Sequence, residues 1–213
     1  MYKRFFKRPI DFALALAIIV ALSPIYVVLS ILIKIKMGSP VIFSQTRPGL
    51  NEKPFNIYKF RSMTQKRGKD GNLLPDRERI TTLGKFLRKT SLDEIPQFFN
   101  VLKGDMSFIG PRPLLTQYLP YYTQEEKLRH SVRPGVTGLA QAKGRNTISW
   151  DSKLALDVEY VKTLSFFNDV KIALLTIGKV LARSEVIAVP VEKYLDDERR
   201  RETAESKTDS KTR

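Results

Sequence analysis

The sequence predicts an α/β fold, mostly α with a small β-hairpin, that carries an apolar N-terminal helix bent within a membrane. Three observations predict it. Residues 12–33 form a 22-residue run without a charge. Residues 41–44 and 55–63 are short β-type runs joined by a turn containing Arg47-Pro48-Gly49. From Gly84 onward apolar residues recur at helical spacing, as at Ile95, Phe98, Phe99 and Leu102. Composition then narrows the chemistry. The 213 residues include no cysteine and one histidine, His130. That excludes Cys-based zinc sites, Cys nucleophiles, redox dithiols and any two-His metal motif. At 42% hydrophobic residues, whole-chain disorder and a disulfide scaffold are excluded as well. Carboxylates, hydroxyls, Lys and Arg must carry any catalysis.

As one helix, residues 12–33 would be roughly 33 Å long, about the hydrocarbon thickness of a bilayer. The run is apolar all round and has no face to show to water. A buried core helix is the plain alternative. A signal peptide is disfavoured, because Pro24 and further apolar residues follow the small-residue stretch Ala21-Leu22-Ser23. Ser23-Pro24 stands at the midpoint. Proline removes a backbone donor and clashes with the preceding turn, so the helix should bend there, and the Ser23 hydroxyl can satisfy a freed carbonyl. Lys3, Arg4, Lys7 and Arg8 precede the run, and Lys34 and Lys36 follow it. The preference of basic flanks for the cytoplasmic side then favours a re-entrant helix with both ends inside, with Asp11, Lys34 and Lys36 at the headgroups. A kinked single span is the other reading.

The formal net charge is +15, and the stretch from Asp196 to Arg213 is charge-balanced, so the whole excess lies on the body. Such a body seeks an anionic partner: nucleic acid, anionic lipid or a phosphorylated substrate. On the second β-type run Phe55, Ile57, Lys59 and Arg61 share a face. Residues 65–79 are polar, with Gly68 and Gly71, and read as a surface loop. Ser91-Leu92-Asp93-Glu94 matches a capping box for the helix that follows. Pro96 resists this, since it falls where an intrahelical donor is needed and the helix must bend or begin later. Adjacent acids also repel, which Arg88, Lys89 or a bound metal would offset. Phe98 and Phe99 followed by Lys103 suit an interfacial helix.

Two prolines pin Arg112 in Gly110-Pro111-Arg112-Pro113, and a pinned guanidinium loses less entropy on binding a phosphate or carboxylate. Arg133-Pro134-Gly135-Val136-Thr137-Gly138 and Gly144-Arg145-Asn146 add further cations on Gly-containing loops. None of these is a P-loop or Rossmann fingerprint, but together they suggest a polyphosphate ligand. Residues 151–163 read as a helix with Asp157 and Tyr160 on nearby turns. Residues 166–182 are too charged for a span and should lie against the core or in the membrane interface. After Leu195 the tail is polar and expected to be disordered. The domain division is a membrane helix over 1–36, a catalytic domain over 37–185 and a polar tail over 186–213.

The ordered set Thr46-Arg47-Pro48-Gly49, Tyr58-Lys59-Phe60-Arg61-Ser62-Met63, Leu92-Asp93-Glu94, the run from Asn100 to Pro113, Arg133 to Gly138 and Gly144-Arg145-Asn146 resembles the bacterial monotopic phosphoglycosyl transferases, the bacterial sugar transferase family, in their minimal form. The resemblance covers about residues 1–185. It implies a monotopic enzyme at the cytoplasmic face of the bacterial inner membrane. The implied reaction moves a sugar 1-phosphate from a UDP-sugar, such as UDP-N,N'-diacetylbacillosamine or a related amino sugar, to undecaprenyl phosphate with Mg²⁺, releasing UMP. It serves the first membrane step of glycoconjugate assembly, in polysaccharide synthesis or protein glycosylation.

By the same resemblance, Asp93 is the nucleophile of a ping-pong route, and Glu94 binds Mg²⁺ with it or assists proton transfer. Lys59, Arg88 and Arg112 hold phosphates, Arg145 contacts the nucleotide, and Asp157 is a further functional acid. Direct attack by the polyprenyl phosphate is the alternative mechanism. A homodimer or downstream glycosyltransferases are the implied protein partners. Leu139 and Ala142-Lys143 depart from the family pattern beside the Arg145 loop, which bears on sugar preference. The competing class, a membrane-anchored basic scaffold or nucleic-acid-binding protein, leaves Asp93-Glu94 and the Gly-Pro-Arg-Pro run unexplained. The chain also lacks a helix-turn-helix or RRM signature, so no nucleic-acid partner is expected.

Overall fold

The structure is a computed structural model and describes residues 1–144, 148–181 and 194–200. These fall into two compact units, 1–46 with 55–108 and 47–54 with 109 onward.

In the first unit, α1 (Lys7–Ala21) and α2 (Ser23–Met37) are bent by 61° at the break between them. The cause is the one the sequence offers: Pro24 sits in the first turn of α2, where it lacks a donor, and Ser23 Oγ donates to the Val20 carbonyl at 2.8 Å. Among the described residues no single helix is long and apolar enough to cross a membrane, whereas the bent pair together meets that length and composition. One side of the pair is bound into the unit. Leu29 and Ile33 of α2 pack in a core with Phe60, Leu87 and Ile95, and the Tyr26 hydroxyl donates to the Ile95 carbonyl at 2.5 Å. The other side leaves Phe12, Leu16, Val20, Val27, Ile31 and Ile35 exposed, an apolar surface of the kind that marks a membrane or protein contact.

Two charged residues at the start of this pair are bonded within the unit. Arg8 donates to the Val101 and Leu102 carbonyls at 2.6 and 2.8 Å, and so caps the C-terminal end of a helix 90 residues away in sequence. Asp11 is buried, with its Oδ1 accepting from the Phe108 amide at 3.3 Å. Both side chains are used to fasten the bent pair, because open backbone donors and acceptors at a helix end or strand start must find partners.

The hairpin comprises β1 (Ile42–Pro48) and β2 (Pro54–Phe60). β1 runs further than the sequence suggests and β2 stops sooner, because Arg61 turns inward and donates to the Ser39 and Gly38 carbonyls at 2.8 and 2.9 Å. The polar stretch after it carries two isolated antiparallel bridges, Met63 with Ile80 and Arg67 with Leu73, and a short helix, α3 (Asp76–Arg79). Then come α4 (Thr82–Lys89), α5 (Gln97–Lys103) and β3 (Ser107–Ile109), where the chain passes to the second unit.

The second unit contains β4 (Gly135–Thr137), α6 (Leu139–Lys143), α7 (Trp150–Lys162) and α8 (Phe166–Leu181). Gly110 N donates to the Thr137 carbonyl and Gly135 N to the Pro111 carbonyl, each at 2.9 Å. Gly135 is required there, since a Cβ on it would run into the Gly110 backbone. On α7 the buried Tyr160 places its hydroxyl 2.9 Å from the Ile109 carbonyl and 2.8 Å from Asp169 of α8. On α8 Ile172 is buried while Phe167, Leu174 and Ile177 are exposed, so one face meets the core, as the sequence suggests, and the other lies open. The tail differs from the expected disorder where it is described. Residues 195–200 are helical, Leu195 is fully buried among Tyr118, Tyr122 and Leu154, and Arg199 bridges Glu126 and Asp151 at 2.8 and 2.7 Å.

The Arg8 cap has a measurable consequence. Arg8→Met removes two charge-assisted bonds to carbonyls and is expected to lower stability by about 2 kcal/mol, with Arg8→Lys between it and the parent. Chemical unfolding of the detergent-purified protein measures the difference.

Candidate active site

The local sequence around Asp93-Glu94 does not form the capping box. After α4 the chain turns through Ser91 in the left-handed region (φ 56°), makes a 3-10 turn over Leu92–Glu94, and starts α5 only after Pro96. Ser91 makes no side-chain cap bond. Pro96 takes the N-cap, where its missing N–H costs nothing. The two carboxylates therefore project from a short turn between helices, and a non-glycine residue in the left-handed region just before them marks the constraint this turn imposes.

Asp93 is 9% exposed. Burial, and then the charge of Glu94, push its carboxyl up to about 6, with Lys59 and Arg88 pulling the other way. Near neutral pH such a group is mostly ionised yet more basic than an ordinary carboxylate, which suits a nucleophile. Glu94 accepts from Lys59 Nζ at 2.6 Å. Both groups are about a quarter exposed, so this pair acts more by fixing positions than by adding stability.

Lys59 reaches the dyad because β2 is held onto α5 by one buried amide. Asn100 Nδ2 donates to the Asn56 carbonyl at 2.7 Å and Oδ1 accepts from Tyr58 N at 3.0 Å. The Asn100 carbonyl also takes the amides of Gly104, Asp105 and Met106. Arg88 is aimed from the other side, with Nε 3.0 Å from Ser62 Oγ. Gly84 makes this approach possible: a Cβ there would collide with the Ser62 carbonyl, so only glycine lets α4 lie on the strand end. The N-cap of α4 is Thr81, whose hydroxyl accepts from Gly84 N at 2.9 Å.

Of the site residues expected from sequence, the first unit thus brings together Lys59, Arg88, Asp93 and Glu94, and carries Ser23 and Pro24 at the helix bend. Arg112 and Asp157 belong to the second unit. Arg112 is exposed between two buried prolines, and Asp157, 4% exposed, is paired with Arg129 rather than open to a ligand. Arg145 lies outside the described residues. Leu139 and Ala142 are buried on α6, so those two departures from the family pattern act through packing. Three contributors escaped the sequence reading: Asn100, Gly84 and Arg129. Each works through a backbone or side chain distant in sequence, and only the position of Asn100 at the head of the Asn100–Pro113 run gave any signal.

For Mg²⁺, Asp93 and Glu94 are the residues that could hold the ion. Among the described residues no group of three or more His, Asp or Glu gathers. Two adjacent hard oxygen donors whose mutual repulsion raises Asp93 fit an ion that keeps waters and shares substrate phosphates.

A buried, basic carboxylate beside a second carboxylate and two cations is a candidate site for chemistry on phosphate groups. The chain belongs to the bacterial sugar transferase family, whose pattern matches residues 2–183. It is 53% identical over 175 residues to the uncharacterized sugar transferase EpsL of Bacillus subtilis (strain 168), covering 82% of this chain and 87% of that one. It is 48% identical over 160 residues to the galactosyl transferase CpsE of Streptococcus agalactiae serotype III, covering 68% of this chain and 36% of that protein. It is 41% identical over 184 residues to the UDP-glucose:undecaprenyl-phosphate glucose-1-phosphate transferase of Klebsiella pneumoniae, covering 82% of this chain and 40% of that protein. The chain therefore spans most of EpsL but well under half the length of the other two.

Two predictions follow from this geometry. Gly84→Ala drives the Ser62 carbonyl away from α4 and is expected to destabilise by about 1–3 kcal/mol, read by unfolding, as overpacking does. His130 is buried, and burial, then the charge of Arg129, push it down to about 4 from its ordinary 6.5. Between those values the unfolded chain binds a proton that the folded chain refuses. Stability should therefore fall as pH drops from 6.5 toward 4, by up to roughly 3 kcal/mol, and His130→Gln should flatten that slope in a pH series of unfolding curves.

Proposed function

We propose that the protein transfers a sugar 1-phosphate from a UDP-sugar to undecaprenyl phosphate, releasing UMP, at the cytoplasmic face of the bacterial inner membrane. The single observation that carries this is the buried Asp93, raised in basicity and flanked by Glu94, Lys59 and Arg88. Names of the relatives support the reaction class: those from Klebsiella pneumoniae and Salmonella typhimurium are undecaprenyl-phosphate glucose and galactose phosphotransferases. The same names favour UDP-glucose or UDP-galactose as donor over the amino sugar that the sequence resemblance suggests.

An Asp93 carboxylate oxygen attacks the β-phosphorus of the donor. The bond from that phosphorus to the bridging oxygen breaks, and UMP leaves with the oxygen. A phosphate oxygen of the lipid acceptor then attacks the same phosphorus, and the Asp93 carboxylate is released as the lipid-linked diphosphosugar forms. Lys59 and Arg88 neutralise charge so that one anion can approach another, and Arg112 holds a donor phosphate. Glu94 orients the Lys59 ammonium through their ion pair. Asp93 and Glu94 are the residues that would hold Mg²⁺, which would supply further charge neutralisation there. The bent α1–α2 pair enters and leaves the same leaflet as a re-entrant element, its exposed apolar side in lipid and both basic ends in the cytoplasm.

UMP release by protein in nanodiscs, with Mg²⁺, undecaprenyl phosphate and a panel of UDP-sugars, tests this reading. One donor is expected to give release that falls on the order of a thousandfold in Asp93→Asn and on the order of tenfold or more in Lys59→Met. Release that is unchanged in Asp93→Asn, or absent with every sugar, contradicts it.

A further inference from the structure

Asp157 and Arg129 form an ion pair sealed from solvent, with side-chain exposures of 5% and 1%. Arg129 Nε and Nη2 donate to the same Asp157 oxygen, Oδ2, at 3.1 and 2.8 Å. Such burial of two charges gives little net stability, because a well-packed apolar pair does as well. What the pair does deliver is direction. The Nη2 that meets Asp157 also donates to the Arg112 carbonyl at 2.6 Å. Nη1 lies 3.5 Å from the Tyr122 hydroxyl, and the guanidinium stands 5.5 Å from the Tyr122 ring centroid, so the fork is held at every edge.

The other end of this chain of bonds is equally constrained. Pro111 and Pro113 fix φ on both sides of Arg112. Gly110 N is taken by the Thr137 carbonyl, the Pro111 carbonyl by Gly135 N, and the Arg112 carbonyl by Arg129. Three successive backbone groups are thus tied, and the last tie is the one that sets the peptide plane following Arg112. Its side chain alone in this stretch is exposed, between buried Pro111 and Pro113.

The geometry points to Asp157 and Arg129 as positioning residues: the buried pair fixes the Arg112 backbone and so sets the direction in which its guanidinium is offered to a phosphate ligand. This rests on the reading of Arg112 as a phosphate holder. Asp157 orients Arg129, which orients Arg112. Arginine is needed at 129 because Nε and Nη2 together grip Asp157 and so fix the direction in which Nη2 meets the Arg112 carbonyl, an orientation that a freely rotating ammonium does not impose.

The test is equilibrium binding of UDP, by calorimetry with Mg²⁺ present, to the full chain in nanodiscs, alongside thermal unfolding. Arg112→Ala and Arg129→Lys are each expected to weaken UDP binding on the order of tenfold, and the two together no more than either alone. The double variant Arg129→Met/Asp157→Leu should keep its unfolding temperature and still weaken UDP to the same extent, a pairing that a purely structural role does not produce. Unchanged affinity in Arg129→Lys, or losses that add to that of Arg112→Ala, overturns the inference, and Arg129→Lys decides alone if the double variant does not fold. If the parent fails to bind UDP, or Arg112→Ala binds it fully, the phosphate reading of Arg112 falls and this inference with it. If Arg112→Ala weakens binding but the Arg129 variants do not, only the inference falls.

Discussion

The first unit is organised around an unfavourable act, the withdrawal of Asp93 from water beside a second carboxylate. Burial and a like charge both disfavour its ionised form, and the pair persists because Lys59 and Arg88 face it. Each cation is itself placed by an uncharged device. The buried amide of Asn100 fastens β2 and so Lys59, and the missing side chain of Gly84 lets α4 bring Arg88 to Ser62. The left-handed Ser91 and the N-cap Pro96 keep the dyad off the helices on either side. The raised basicity of Asp93 is therefore built by the packing around it.

The net charge of +15 is less informative than it looks. Several arginines that seem available for anions are spent on backbone carbonyls: Arg8 on the end of α5, Arg61 on Gly38 and Ser39, and Arg129 on Arg112. A guanidinium does this well because its several donors lie in a fixed plane. The cations that gather at the dyad, Lys59 and Arg88, bond instead to side chains, Glu94 and Ser62. Charge density thus splits into a structural share and a chemical share, which composition cannot separate.

Much of this was legible in the chain. Pro24 announced the bend and Ser23 its satisfied carbonyl, because both effects are local to one helical turn. The hairpin, α7 and the buried face of α8 followed from periodicity. The capping box did not form because Pro96 and the turn at Ser91 outweighed a four-residue pattern. The bond of Asp11 to the Phe108 amide and the helical order of residues 196–200 are not legible in the sequence, because their partners, the Phe108 amide and the Glu126 and Asp151 carboxylates that hold Arg199, are contributed by distant sequence. Asp93, Glu94 and Lys59 were recognisable as residues, but that Asn100 and Gly84 bring the cations to the dyad depends on tertiary approach.

The central claim is that Asp93 becomes bonded to phosphorus during the reaction. Intact-protein and peptide mass spectrometry after acid quench, on protein mixed with its UDP-sugar donor in the absence of undecaprenyl phosphate, tests it most directly. The account predicts one sugar-phosphate increment on the peptide that contains Asp93, formed together with an equal amount of UMP, and removed on addition of the lipid acceptor. Turnover that requires the acceptor from the outset, with no UMP and no adduct in its absence, would contradict it and leave direct attack by the polyprenyl phosphate as the mechanism.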